Sequence, residues 1–290
     1  MNNIEIKNIS KSYGNKTVLD NISLTIEEGK IYGLLGCNGA GKTTLLNAIT
    51  NRTFIDKGEI LINGQNIYEN DNAISKVYYM TEKNLIPDDM EINDIFKYTK
   101  DFYPNFDIEY ANILSNKFKL NTNKRIKELS TGYRSICKLI TCLSSGANFL
   151  FFDEPVLGLD AKHRDMFYKE LLSLYTEKQN TIIISTHIIE EISDLLERVI
   201  ILNNSKIIEN ENVEDLLSRA YAVSGKDNLI DKYIVDKNVI AIDVLGSFKK
   251  ATILQEKTKE DLNYIKELQL EVNKVELQKL FINLTDKEEI

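Results

Sequence analysis

Nine consecutive residues, Gly36-Cys37-Asn38-Gly39-Ala40-Gly41-Lys42-Thr43-Thr44, carry the spacing G-x-x-x-x-G-K-[ST]. An apolar run, Ile31–Leu35, precedes them and reads as a buried strand; Leu45–Ile49 follows and reads as a helix. Glycines at Gly36, Gly39 and Gly41 let the backbone turn tightly, so the amides through Asn38, Ala40 and Thr44 can point at a phosphate chain. The helix that starts there adds its positive dipole end. Lys42 can reach the β- and γ-phosphates of a nucleoside triphosphate, and the Thr43 hydroxyl can ligate Mg²⁺.

Two acids suit the same chemistry. Phe149-Leu150-Phe151-Phe152 is a bulky apolar strand that ends in Asp153-Glu154-Pro155. Carboxylates placed there sit at the carboxyl edge of a sheet, where open α/β sheets bind ligands. Asp153 then suits Mg²⁺, and Glu154 suits a water attacking the γ-phosphate. On its own, such a pair reads equally as a solvated turn; the phosphate loop gives it weight. Of the two histidines, His187 ends the strand Thr181–Ser185 on the same edge. His163 falls in the first turn of a helix and reads as exposed. Tyr13, in a turn ahead of the phosphate loop, reads equally as a turn residue or as a platform for adenine. Cys37 lies inside the loop, just ahead of a helix N-terminus, and is expected to be the reactive thiol. Its side chain faces either the phosphates or the core. Cys137 and Cys142 fall on an apolar helix and are expected to be buried.

The elements that position these residues follow from periodicity. Ile4–Ile9 alternates apolar and polar residues, and Val18-Leu19 and Ile22–Ile26 give two more short strands, so an antiparallel β patch leads into the phosphate loop. Gly58–Gly64 and Lys76–Met80 read as further strands. Residues 88 to about 128 switch to helical spacing, broken at Pro104-Asn105, as a helical insertion within an α/β domain. Near residue 219 the character changes again. Strand, helix, hairpin, helix, strand (268–274) and a last helix give the order β-α-β-β-α-β of a ferredoxin-like unit.

Composition sets limits. The 290 residues leave room for one large domain and a small one, and 43% hydrophobic residues can build a full core. A net charge of −8 gives no surface for a polyanion, so nucleic acid is not an expected partner. No stretch approaches the roughly 20 apolar residues of a membrane span. The N-terminus lacks the pattern of a signal peptide. Three cysteines make neither a disulfide framework nor a metal spacing, which suits the cytoplasm.

Residues 1 to about 218 resemble the ATP-binding subunit of an ABC transporter: a P-loop NTPase domain with an α/β core, an antiparallel β patch and a helical subdomain at about 84–146. The loop at Gly36–Thr44 is similar to the Walker A motif and Phe149–Glu154 to Walker B with its glutamate. Leu129-Ser130-Thr131-Gly132-Tyr133 stands where the family has its LSGGQ signature. Asp160 matches the D-loop, His187 the switch histidine and Tyr13 the aromatic that stacks on adenine. Glu82 stands in place of the Q-loop glutamine, and Thr131 and Tyr133 replace Gly and Gln of the signature. The resemblance implies ATP and Mg²⁺, with Thr43, Asp153 and Glu82 at the metal, and Ser130 and Gly132 holding the γ-phosphate of an opposite subunit.

What else it implies is a homo- or heterodimer of ATPase subunits on a separate transmembrane permease, hence a cytoplasmic protein peripheral on the inner face of the membrane. Asp101–Asp107 with Glu109-Tyr110-Ala111 is similar to a narrower group, bacterial ABC exporter ATPases of antimicrobial-peptide and envelope-stress systems. That likeness suggests export of a peptide, drug or other envelope-active compound. Residues 219–290 are read as a small α+β accessory domain. The alternative is a soluble ABC-type ATPase of translation or DNA maintenance, but one ATPase half, an acidic charge and no sustained heptads speak against it. A regulatory binder that closes on ATP without hydrolysis is disfavoured by Glu154.

Overall fold

A computed structural model describes residues 3–286, which divide into two compact units. The first runs to His187 and includes Leu202–Ile208; the second takes Ile188–Ile201 and the residues from Glu209 on.

In the first unit, β1 (Asn3–Tyr13) and β2 (Lys16–Glu27) pair antiparallel. The expected pair of short strands is one continuous strand. Asn8 and Asn21 take φ of 52° and 53°, and the Asn8 side chain donates to Asn21 Oδ1 at 3.1 Å. That paired irregularity absorbs the break in alternation without ending either strand. After β3 (Ile31–Gly36) and α1 (Lys42–Ile49) come β4 (Lys57–Ile62) and the short β5 (Gln65–Asn66). They complete a sheet in the order β2–β1–β4–β5. Ile4 aligns with Ile26 and Ile62, and Ile6 with Leu24 and Ile60, so one face is a buried apolar layer.

The chain continues through α2 (Asp71–Ile74), β6 (Val77–Met80), α3 (Ile92–Phe102), α4 (Ile108–Lys117), α5 (Thr131–Leu143), β7 (Phe149–Asp153), α6 (Ala161–Lys178) and β8 (Thr181–Ser185). Strands β3, β8, β7 and β6 lie side by side in that order, all parallel. β3, β7 and β8 are buried at every residue, as the short apolar runs without alternation require of a sheet covered on both faces. Parallel pairing brings the carboxyl ends of β3, β7 and β8 to one edge. Helices α3 to α5 form the expected helical region, with Phe96, Phe106 and Phe118 buried among them.

β9 (Arg198–Asn203) and β10 (Lys206–Asn212) form the closing hairpin, followed by α7 (Val213–Ser218). In the second unit, β11 (Ala220–Lys226), α8 (Asp227–Tyr233), β12 (Val239–Leu245), β13 (Phe248–Leu254), α9 (Lys259–Glu267), β14 (Glu271–Lys274) and α10 (Leu277–Thr285) follow. Their sheet has the order β12–β13–β11–β14 with every neighbour antiparallel, the ferredoxin-like arrangement. Tyr221, Val223, Ile230, Tyr233, Ala251 and Ile253 make its core, and the hydroxyls of Tyr221 and Tyr233 meet at 3.1 Å. The last strand is shorter than expected. Gln269 turns to φ 54° and the Leu270 amide returns to the Ile265 carbonyl, so residues 268–270 close α9 instead of starting β14.

Candidate nucleotide site

The phosphate loop needs its glycines for space as well as for turning. A Cβ on Gly36 would stand 2.8 Å from the Leu202 carbonyl oxygen and 3.0 Å from the Ala40 side chain. On Gly41, at φ 111°, it would stand 2.7 Å from the Val18 carbonyl. Gly41 caps α1, so the loop delivers the first amides of a helix, none used by the helix itself, to one concave surface. Lys42 is buried, and its ammonium donates to the Gly36 carbonyl at 2.5 Å and to the Cys37 carbonyl at 3.3 Å. A cation so placed can exchange those carbonyls for phosphate oxygens.

At the neighbouring strand end, Thr43 Oγ1 donates to Asp153 Oδ2 at 2.8 Å. Tyr79, on β6, donates to the same oxygen at 3.1 Å. Asp153 is 2% exposed, and burial together with its carboxylate pushes the Tyr79 phenol well up, so Tyr79 stays a donor. A buried carboxylate beside a hydroxyl is an all-oxygen donor set of the type hard divalent cations take, and it fits Mg²⁺. Glu82 is exposed at the loop after β6 and lines the same cleft. Its loop is tied to α5, where Lys138 donates to the Thr81 and Glu82 carbonyls at 2.9 and 2.8 Å. Among the described residues no group of three or more His, Cys, Asp or Glu is arranged to hold a metal.

Glu154 follows with φ 50°, a left-handed turn that a glutamate adopts at a cost of about 1–3 kcal/mol. Its amide donates to the Ser185 carbonyl at 2.8 Å. The turn sets Glu154 Oε2 2.8 Å from His187 Nδ1, with the Thr186 hydroxyl donating to it at 3.3 Å. Tyr13, half exposed, lies across the cleft with its hydroxyl 3.3 Å from that of Thr53.

One open cleft of about 710 Å³ collects Tyr13, Asn38, Gly39, Gly41, Lys42, Thr43, Thr44, Glu82, Asp153, Glu154 and His187. Gly36 and Ala40 shape the loop from behind. Ser130, Gly132 and Asp160 do not line it. Ser130 caps α5 and accepts from the Tyr133 amide at 3.4 Å. Gly132 packs so closely that an added Cβ would stand 2.9 Å from the Gly158 carbonyl. Asp160 caps α6 through the His163 amide at 2.9 Å. Sequence reasoning missed Tyr79, Thr186 and Lys138, whose partners are distant in the chain; for Thr186, adjacency to His187 was the one available signal. It also read His163 as exposed, whereas its side chain is 20% exposed and packed between aromatic rings.

A family model described as ABC transporter matches residues 19–157. An ABC transporter ATP-binding protein of Methanocaldococcus jannaschii is 31% identical over 246 residues, covering 82% of this chain and 89% of that protein. The chain belongs to the ABC transporter ATP-binding proteins. The ABC transporter ATP-binding protein YtrB of Bacillus subtilis is 29% identical over 283 residues, 96% of this chain and 97% of YtrB, so that likeness runs through both units. The petrobactin import ATP-binding protein YclP of Bacillus subtilis is 30% identical, covering 82% of this chain and 98% of YclP. The solved structure of an ATP-binding subunit of an ABC transporter superposes with a TM-score of 0.68 at 21% identity, over 73% of this chain and 91% of that one, and shares the fold. As an ABC ATP-binding protein the chain is an ATPase, of a kind that dimerises and works with membrane permease components. Among the described residues no helix is long and apolar enough to cross a membrane.

Proposed function

We propose that two copies of the ATPase unit close head to tail on ATP and that this closure drives a separate permease. The carrying observation is the 2.8 Å contact of Glu154 with His187 in the cleft that also holds Lys42 and the Thr43–Asp153 pair, with Ser130, Gly132 and Asp160 outside it. A second copy can supply those three residues; one copy does not. Tyr13 stacks on the adenine, Lys42 and the loop amides hold the β- and γ-phosphates, and Thr43 and Asp153, with Glu82 beside them, hold Mg²⁺. When bound, Mg²⁺ neutralises charge on the phosphates. Glu154 accepts a proton from the attacking water, and His187, hydrogen-bonded to it, holds the γ-phosphate and relays its state. Phosphoryl transfer asks mainly for such positioning and charge.

A permease contact is supported by an apolar groove of about 300 Å³ on the helical region, where Leu85, Tyr98 and Phe102 are 65%, 55% and 76% exposed. Exposed apolar surface of this kind marks an interaction site. The Asp101–Ala111 stretch supports an exporter of an envelope-active peptide or drug. The test is the ATPase rate of the purified chain, alone and with the membrane protein encoded beside it, with cargo followed in inverted vesicles. Hydrolysis stimulated by that partner is expected. A chain that hydrolyses ATP at the same rate with every candidate permease, or whose gene has no membrane-protein neighbour, contradicts the proposal.

A further inference from the structure

The imidazole of His163 joins three segments of the ATPase unit. It stacks on Phe118, at the end of α4, with ring centroids 6.2 Å apart and planes 18° from parallel. It meets the Tyr133 ring, in the first turn of α5, edge-on at 6.1 Å and 65°. Its Nδ1 lies 3.0 Å from both carboxylate oxygens of Asp160. The same aspartate accepts the His163 amide, which with the ring holds its carboxyl below the usual range and keeps it an anion. Next to Tyr133, Gly132 packs directly against Gly158, two residues before Asp160. The loop bearing Asp160 and the turn bearing Ser130 and Gly132 are therefore clamped at two points, one of backbone and one through His163.

We propose that His163 is a positioning residue that locks Tyr133 and Asp160 into one rigid surface, so that the α5 turn and the Asp160 loop meet the opposite copy together. The inference rests on the reading that Ser130, Gly132 and Asp160 serve the ATP held by the other copy. Tyr133 takes part because its ring, which a glutamine lacks, gives the imidazole an aromatic wall. His163 does not line the cleft and acts through those two residues. Its loss should therefore slow hydrolysis and closure but leave each copy's own grip on ATP intact, since Tyr13 and Lys42 lie elsewhere.

The test uses the full chain. His163→Phe keeps the stacked ring and the backbone bond to Asp160 but drops the ring's contact with its carboxylate; His163→Asn keeps a polar group for Asp160 and drops the stack. Both, with His163→Ala, are measured for ATP affinity by fluorescence titration, for kcat, for melting temperature, and for ATP-trapped dimer in a Glu154→Gln background. Expected for His163→Ala are a kcat about tenfold lower and less trapped dimer, with ATP affinity within about twofold of wild type. His163→Phe and His163→Asn should each recover part of the rate, and adding Tyr133→Ala to His163→Ala should cost little more. A His163→Ala chain that hydrolyses like wild type overturns the proposal and leaves the two-copy reading standing. A drop in ATP affinity matching the drop in rate also overturns it, as a general structural role. A wild-type chain that hydrolyses ATP as a monomer overturns the two-copy reading and this proposal with it.

Discussion

The hydroxyl of Thr43 donates to Asp153 Oδ2 at 2.8 Å, joining residues 110 positions apart in the chain. The bond links the first turn of α1 to the end of β7 and sets two oxygen atoms side by side in the cleft. Asp153→Asn keeps the shape and the acceptor but removes the charge that draws a divalent cation. We expect the Mg²⁺ concentration for half-maximal hydrolysis to rise at least about tenfold, with metal-free nucleotide binding unchanged. A Mg²⁺ titration with the same midpoint as wild type would show that Asp153 does not face the metal.

Glu154→Gln retains the size of the side chain and its hydrogen bond to His187 but cannot take a proton. Steady-state hydrolysis should vanish while ATP binding persists, and ATP should trap a dimer resolvable by size-exclusion chromatography with light scattering. Turnover above about a tenth of wild type, roughly 1.4 kcal/mol of barrier, would be too much for the loss of the base.

The phosphate loop was legible because its chemistry is local: nine residues hold the glycines, the lysine and the hydroxyl, and the flanking strand and helix are contiguous with them. Asp153, Glu154 and His187 were legible because parallel strands end at a common edge, so a strand terminus predicts a location. The order of elements beyond residue 219 was legible in outline because its short apolar runs and helix-spaced segments are separated by turns such as Gly246-Ser247. Tyr79, Lys138 and the surroundings of His163 were not. Tyr79 meets Asp153 across 74 positions, and Phe118 and Tyr133 reach His163 from separate helices. No local period announces such meetings. The Asn8–Asn21 irregularity, in turn, looks in one dimension like a strand end.

Acidic residues where the chain re-enters the second unit carry a pH dependence. The Glu209 carboxyl is pushed up to about 7, first by burial and then by Glu211, against the pull of Arg219. The folded chain thus holds a proton between about pH 4.5 and 7 that the unfolded chain releases. This contribution to stability is full below pH 4.5 and is lost as pH rises through 7. Glu209→Gln removes the titration. Its melting temperature relative to wild type should be higher at pH 8 than at pH 5; an equal difference at the two pH values would rule the group out as the source.

The three cysteines should separate sharply towards a thiol reagent. Cys37 is exposed, while Cys137 and Cys142 are fully buried. Burial pushes the Cys137 thiol up to about 12 and that of Cys142 well above its ordinary value, so neither offers thiolate near neutral pH. A maleimide time course read by peptide mass spectrometry should show Cys37 modified first, with the other two unmodified until the chain unfolds. Cys37 is exposed, so its side chain is not packed in the core, and it is not among the residues that line the cleft. Mg-ATP at ten times its dissociation constant fills about nine sites in ten, which would slow a cleft-facing thiol about tenfold. We expect a smaller effect, because Cys37 does not line the cleft. Slowing by the full tenfold would mean that the thiol turns into the cleft, and faster labelling of Cys137 than of Cys37 would contradict the burial that separates them.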